Sequence, residues 1–329
     1  MIDGATLHQT IHPWIAEGNR CVRFGVGILG WRAGSDLLRL GQTAERLRFD
    51  SYWVQDHPMT GPDCWTSLAA LATTTERLRL GSIVSCVYYR SPVLLARQAA
   101  DVDRLSGGRL VLGVGLGDDE TEFRQMNLPM PPVPERQAAL EETVHIVRGL
   151  WSGRPFTFAG AHFGLRNATL AAGPIQQPRI PLLIAGGGER VTLRQVAQHA
   201  DVSNFGENQH TGGARTLEDM RRKLDALRRH CADAGRPYET ILKSHIGLPV
   251  VIGESSDALA TKLEARFGAL ATEQAARHRA SAVSGTPGEL IAYYRGLIDL
   301  GFRYFVAAIY SDDAETYELL ARRVMPAFA

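Results

Sequence analysis

From Val22 onward, short apolar runs alternate with longer amphipathic stretches. Val22–Ile28 (VRFGVGI) reads as a strand. Leu37, Leu40, Ala44 and Leu47 then step by 3, 4 and 3, which predicts a helix over Ser35–Arg48 with Ser35 or Asp36 as its N-cap. The next apolar runs are Ser51–Gln55, Leu78–Ser85 and Arg109–Val114. Between the last two, Leu95, Ala99, Val102 and Leu105 mark a helix that Gly107-Gly108 can stop. A long segment follows: a Pro-rich turn from Pro129 to Pro134, a helix through Leu140, Val144, Val147 and Trp151, and a hairpin of Phe156–Phe158 and His162–Leu165 turning at Ala159-Gly160.

Alternation resumes with strand Pro181–Ala185, helix Glu189–His199, strand Asp201–Asn204 and a helix through Met220, Leu224, Leu227 and Cys231. Ile241–Ile252 reads as one strand-like run, followed by helices from Ser255 and Pro287, strand Tyr304–Ile309 and a closing helix. About eight strands, nearly all separated by helices, imply right-handed crossovers and a parallel sheet. Eight such units favour closure into a (β/α)8 TIM barrel over an open doubly wound sheet. The expectation is one barrel over residues 22–329 with an insertion near 127–180, preceded by an extension at 1–21 of uncertain order.

Composition narrows the classes. The chain has 329 residues, and 36 basic against 35 acidic side chains leave a formal charge of +1. No net field favours nucleic acid or an anionic membrane. No stretch approaches the roughly 18 uncharged apolar residues of a membrane span, and the first 21 residues, with His8, His12, Glu17 and Arg20, do not read as a signal peptide. Cys21, Cys64, Cys86 and Cys231 are scattered without a C-x-x-C pair, as expected for reduced thiols in a cytoplasmic protein without a zinc site.

A barrel places its chemistry at the C-terminal ends of the strands. That filter selects Gln55-Asp56-His57, Val84-Ser85-Cys86, Gly115–Asp118, Gly186–Gly188 and Asn204–Glu207. Gly113-Val114-Gly115-Leu116-Gly117-Asp118 is not a dinucleotide fingerprint, because the third glycine would fall at Asp118. Phosphate-loop, zinc-peptidase and serine-hydrolase signatures are absent. Ile184-Ala185-Gly186-Gly187-Gly188-Glu189 joins a strand to a helix; it reads either as a phosphate cradle of bare N–H groups or as a tight turn without a ligand. His57 reads as an acid, base or hydrogen-bond donor near neutral pH, or as a structural histidine. Asp118 reads as an acid or as a plain N-cap. Trp31, Trp53, Trp65, Tyr88 and Tyr89 wall a flat pocket or pack the barrel, with packing the better reading for Trp53. The basic clusters Arg221-Arg222-Lys223 and Arg228-Arg229-His230 read as the solvated face of a helix.

Taken in order, these segments resemble the bacterial luciferase-like family of flavin and deazaflavin oxidoreductases from about Val22 to Phe328. The strongest block is RLRLGSIVSCVYYRSPVLLARQAADVDRLSGGRLVLGVGLGDDETEFRQMN, Arg77–Asn127. PERQAALEETVHIVRGLW, PLLIAGGGERVTLRQVAQHADVSNFG and GTPGELIAYYRGLIDLGFRYFVAAI extend it. The resemblance implies a TIM barrel, with His57 of V-Q-D-H as the catalytic histidine beside the ring and Asp56 as its acidic neighbour. It also implies a non-proline cis peptide at Ile83-Val84, with Ser85 following, pressed against the ring. Gly186-Gly187-Gly188 would lie near the cofactor phosphate, with Asn204 at the next strand end. Asp118 stands where deazaflavin-dependent sugar-phosphate dehydrogenases carry a glutamate, while their basic sugar-phosphate grip has no convincing counterpart.

The cofactor implied is the deazaflavin coenzyme F-420, with hydride transfer to or from a small organic substrate and no metal. The alternative is FMN, in a monooxygenase fed with FMNH2 by a separate reductase; a third reading is a noncatalytic flavin-binding barrel. A homodimer is the expected assembly, and residues 207–215 form either a substrate lid or a surface loop.

Overall fold

The computed structural model describes residues 10–29, 36–208, 211–268 and 279–329. The first helix, α1 (Pro13–Gly18), precedes β1 (Arg23–Leu29), α2 (Leu37–Arg46), β2 (Ser51–Val54), α3 (Cys64–Thr74), β3 (Arg79–Ser82) and β4 (Ser85–Cys86). Helix α4 (Pro92–Leu105) and β5 (Leu110–Gly115) lead into α5 (Glu120–Gln125) and the long α6 (Val133–Trp151). The hairpin β6 (Phe156–Ala159) and β7 (Gly164–Ala168) lies outside the barrel sheet, as its own two-stranded sheet. Then come β8 (Leu182–Ala185), α7 (Thr192–His199), β9 (Val202–Gly206), α8 (Leu217–Asp233), β10 (Leu242–Gly247), β11 (Val250–Ile252) and α9 (Ser256–Phe267). Strand β12 (Val283–Gly285), a helix over Pro287–Leu300, β13 (Tyr304–Tyr310) and short helical turns from Ala314 complete the described chain.

The sheet runs β3-β2-β1-β13-β10-β9-β8-β5, and pairing of β3 with β5 closes it into a parallel eight-stranded barrel. Two apolar runs each divide in two. Leu78–Ser85 becomes β3 and β4, separated by the cis peptide Ile83-Val84. Ile241–Ile252 becomes β10 and β11, separated by cis Pro249; β11 then pairs with β12 outside the barrel. A continuous apolar run shows burial, but does not show where the backbone turns within it. Helix α2 starts from Asp36, whose carboxylate accepts from Arg39 N at 3.0 Å; Ser35 and Trp31 lie outside the described residues.

The barrel is filled with side chains. Trp53, Val111, Leu183, Val202, Leu242, Tyr304 and Val306 form an inner cluster. Trp53 fits because Gly81 faces it: a Cβ there would lie 2.3 Å from the indole ring. The extension reading of residues 1–21 is corrected at its folded end. Trp14 and Ile15 of α1 are buried in this same cluster, and Trp14 packs edge-on against Tyr304 at 5.2 Å. Its indole N–H donates to Asp50 at 3.3 Å, and Arg23 donates to its carbonyl at 2.6 Å. All of these partners stand at strand starts, so α1 plugs the N-terminal end and leaves the opposite mouth for chemistry.

Candidate active site

Strand β2 carries the chain into the mouth and ends just before Asp56 and His57. His57 is part-buried, with 35% of its side chain exposed, and its Nδ1 lies 2.9 Å from Oε2 of Glu122. That carboxylate is 2% exposed. It also accepts from Tyr89 Oη at 2.9 Å and from Met59 N at 3.1 Å. Burial pulls the His57 pKa down; the Glu122 hydrogen bond and charge, helped by Asp118 and Asp119, outweigh it and raise the value above the ordinary one. Burial pushes Glu122 up, but its bonds to His57, Met59 and Tyr89 hold it below the usual carboxylate range. The two partners agree: a carboxylate stabilising an imidazolium.

Glu122 is the residue that the sequence reading missed in favour of Asp118. Asp118 is exposed, and it is Asp119 that caps α5, accepting from Glu122 N at 3.1 Å. The signal was the cap: a helix starting at Glu120 turns Glu122 and the buried Phe123 toward the barrel. Asp118 contributes only a more distant charge to His57.

Asp56 is sequence-adjacent to His57 yet faces elsewhere. Its buried carboxylate takes both guanidinium nitrogens of Arg90, with Nη2 at 2.9 Å from Oδ1 and Nη1 on Oδ2. Cys86 N at 3.1 Å and Ser85 Oγ at 3.3 Å also donate to Oδ2. Ser85 in turn accepts from the Trp65 indole at 3.1 Å. Asp56 and Ser85 therefore tie the end of β2 to β4, and do not contact His57 through a hydrogen bond. Of the candidate aromatics among the described residues, Trp53 and Trp65 are buried in the body of the protein, Tyr88 rests against Phe123, and only Tyr89 touches the His57–Glu122 pair.

Ile83, Val84, Ala185 and Ile246 are half-buried and rest on the inner cluster, making an apolar ledge at the mouth. Asn204 is buried between strands, donating to Ser244 Oγ at 2.8 Å. At the glycine turn, Gly186 N donates to Asn204 O at 2.9 Å and Gly187 N to Thr211 O at 3.1 Å. Residues 211–213 close over the turn, so a Cβ on Gly187 would meet Gly212 O at 2.2 Å. Lys223 is buried, not solvated: its Nζ donates to Gly187 O at 2.9 Å and lies 3.5 Å from Glu189. His230 Nε2 meets Glu189 O at 2.8 Å. A cation thus stands under the turn, which the charge pattern of α8 did not reveal because amphipathicity does not say which long side chains fold back.

A closed parallel barrel whose polar groups converge at its C-terminal mouth is the architecture of a barrel enzyme. The sequence profile of the luciferase-like monooxygenases matches residues 23–304, and the chain belongs to that family. It is 26% identical over 320 residues to an F-420-dependent glucose-6-phosphate dehydrogenase of Intrasporangium calvum, covering 87% of this chain and 93% of that protein. Among solved structures it is similar to the F-420-dependent tetrahydromethanopterin reductase of Methanopyrus kandleri, with a TM-score of 0.79, 21% identity and coverage of 94% and 99% of the two chains. It is also similar to a monooxygenase of Streptomyces bottropensis, with a TM-score of 0.77, 22% identity and coverage of 93% and 100%. Among the described residues no helix is long and apolar enough to cross a membrane.

Proposed function

We propose that this chain is an oxidoreductase exchanging hydride between F-420 and a small organic substrate. The observation that carries the reading is the His57–Glu122 pair at the rim of an apolar ledge. Ile83, Val84, Ala185 and Ile246 suit one face of a flat tricyclic ring, and would hold it. The glycine turn above the buried Lys223 cation suits the anionic end of the same cofactor. Two of the turn's N–H groups now bond to protein carbonyls, so anion binding there calls for rearrangement of residues 211–213. The relative of Intrasporangium calvum supports F-420 as the partner.

The cofactor, when bound, supplies a ring carbon that accepts or donates hydride. The proton falls to His57. With Nδ1–H held by Glu122, Nε2 is the ring nitrogen left for the substrate oxygen. In the oxidative direction Nε2 would take the O–H proton of an alcohol as its carbonyl forms, the hydride acceptor being what the bound cofactor would supply. In reduction the same nitrogen returns it. A raised pKa makes His57 the stronger base, and Glu122 stabilises the imidazolium that results. Asp56 acts by positioning, through Arg90. Among the described residues no basic grip for a sugar phosphate is evident, so that substrate is not carried over.

FMN-dependent monooxygenation stays as the second reading, with a monooxygenase among the similar structures. Expression in a host making both cofactors, followed by mass analysis of what the purified protein retains, separates the two. F-420 without FMN is the expected result. FMN retention with oxygen consumption would replace the proposal, and binding of neither would leave a noncatalytic barrel.

A further inference from the structure

On the outer wall of the barrel, away from the glycine turn that precedes α7, three potential metal ligands converge. Glu141 and His145 are four residues apart on α6, which sets them one turn apart on one face. His199 is the last residue of α7. One ligand atom from each lies within 4.8 Å of the other two. Glu141 Oε1 and His199 Nε2 are 3.6 Å apart. Zinc bonds imidazole nitrogen and carboxylate oxygen at about 2.0–2.1 Å, so tetrahedral ligand atoms stand roughly 3.4 Å from one another. One edge of such a tetrahedron is already near its final length, and small rotamer changes close the others.

The surroundings hold the ligands in place. The His145 ring lies parallel to Phe158 of the hairpin, at 6.5 Å and 18°, and edge-on to His199, at 5.1 Å and 73°. Arg148, three residues beyond His145, donates to the backbone carbonyl of His199 and ties the end of α7 to α6. The Glu141 side chain is 41% exposed and that of His199 12%, so an ion can enter from solvent. None of these groups serves the barrel mouth.

We propose that Glu141, His145 and His199 form a site for a divalent transition-metal ion of the zinc class, with water as the fourth ligand. Two imidazoles select against magnesium and calcium, which take oxygen donors. The ion would join α6 to α7 as a staple. This inference does not rest on the F-420 reading.

The test uses the full-length chain without a histidine tag, stripped with EDTA. Titration with Co2+ should give the visible absorption of a tetrahedral site saturating at one ion per chain. Zn2+ should displace the cobalt and raise Tm, and EDTA should reverse both. His145 is exposed, so His145→Ala should fold normally and weaken binding at least tenfold; Glu141→Gln and His199→Gln should do the same. Absence of a saturable site at 1 mM metal overturns the proposal. So does unchanged affinity in His145→Ala, since the chain has 10 histidines that can bind metal weakly elsewhere.

Discussion

The Nδ1 of His57 lies 2.9 Å from the Oε2 of Glu122, a residue 65 positions further along the chain. Barrel closure makes this contact: β2 delivers the histidine, and the turn after β5 delivers the acid. Burial of Glu122 keeps water from competing for the bond, and Tyr89 and Met59 fill its other acceptor sites.

Replacing His57 by Asn should leave cofactor retention intact and lower turnover by about 10² or more, the usual worth of a positioned acid–base group. Unchanged turnover in a steady-state assay would remove His57 from the reaction.

Glu122→Gln removes the charge that raises the His57 pKa and leaves burial to lower it. The His57 titration, followed by NMR of the imidazole, should therefore move to lower pH, and the acidic limb of the oxidation profile (the basic limb in reduction) should move with it. A titration that stays in place would mean that Glu122 is only a packing residue.

Asp56→Asn should act on stability. It strips the counter-charge from the largely buried Arg90 guanidinium, and breaking a buried pair costs about 3–5 kcal/mol. Thermal unfolding should show a large fall in Tm while the His57 titration stays near wild type. A normal Tm with lost turnover would restore a direct chemical role to Asp56.

His12 caps α1 by accepting from Trp14 N at 3.1 Å, and burial together with the nearby Arg79 lowers its pKa to about 4. Between that value and the ordinary 6.5 the unfolded chain binds the proton and the folded one does not, so stability falls as pH drops through this window. The loss is at most about 3 kcal/mol. Denaturant unfolding of His12→Gln should show a shallower decline over the same window than wild type.

Gly187→Ala would place a Cβ 2.2 Å from the Gly212 carbonyl, where backbone must yield. The expected cost is about 1–3 kcal/mol, as for other overpacked sites, with weakened cofactor retention measured by equilibrium dialysis. Wild-type stability would show that residues 211–213 move aside freely.

Much of this was legible in the sequence. The alternation of apolar runs with 3.6-period helices determined an eight-unit parallel barrel, because strand and helix periods are local properties of the chain. The barrel in turn singled out His57 at a strand end and the glycine turn, and the family resemblance added Ile83-Val84, whose peptide bond is cis. Tertiary structure alone decided who meets whom. It gave His57 to Glu122 and not to Asp118, turned Asp56 onto Arg90, drew Lys223 under the glycine turn, and folded Trp14 into the barrel floor. Local sequence sets which way the backbone runs. Pairing of charges across 34 or 65 positions depends on how the strands close, and on which buried group would otherwise lack a partner.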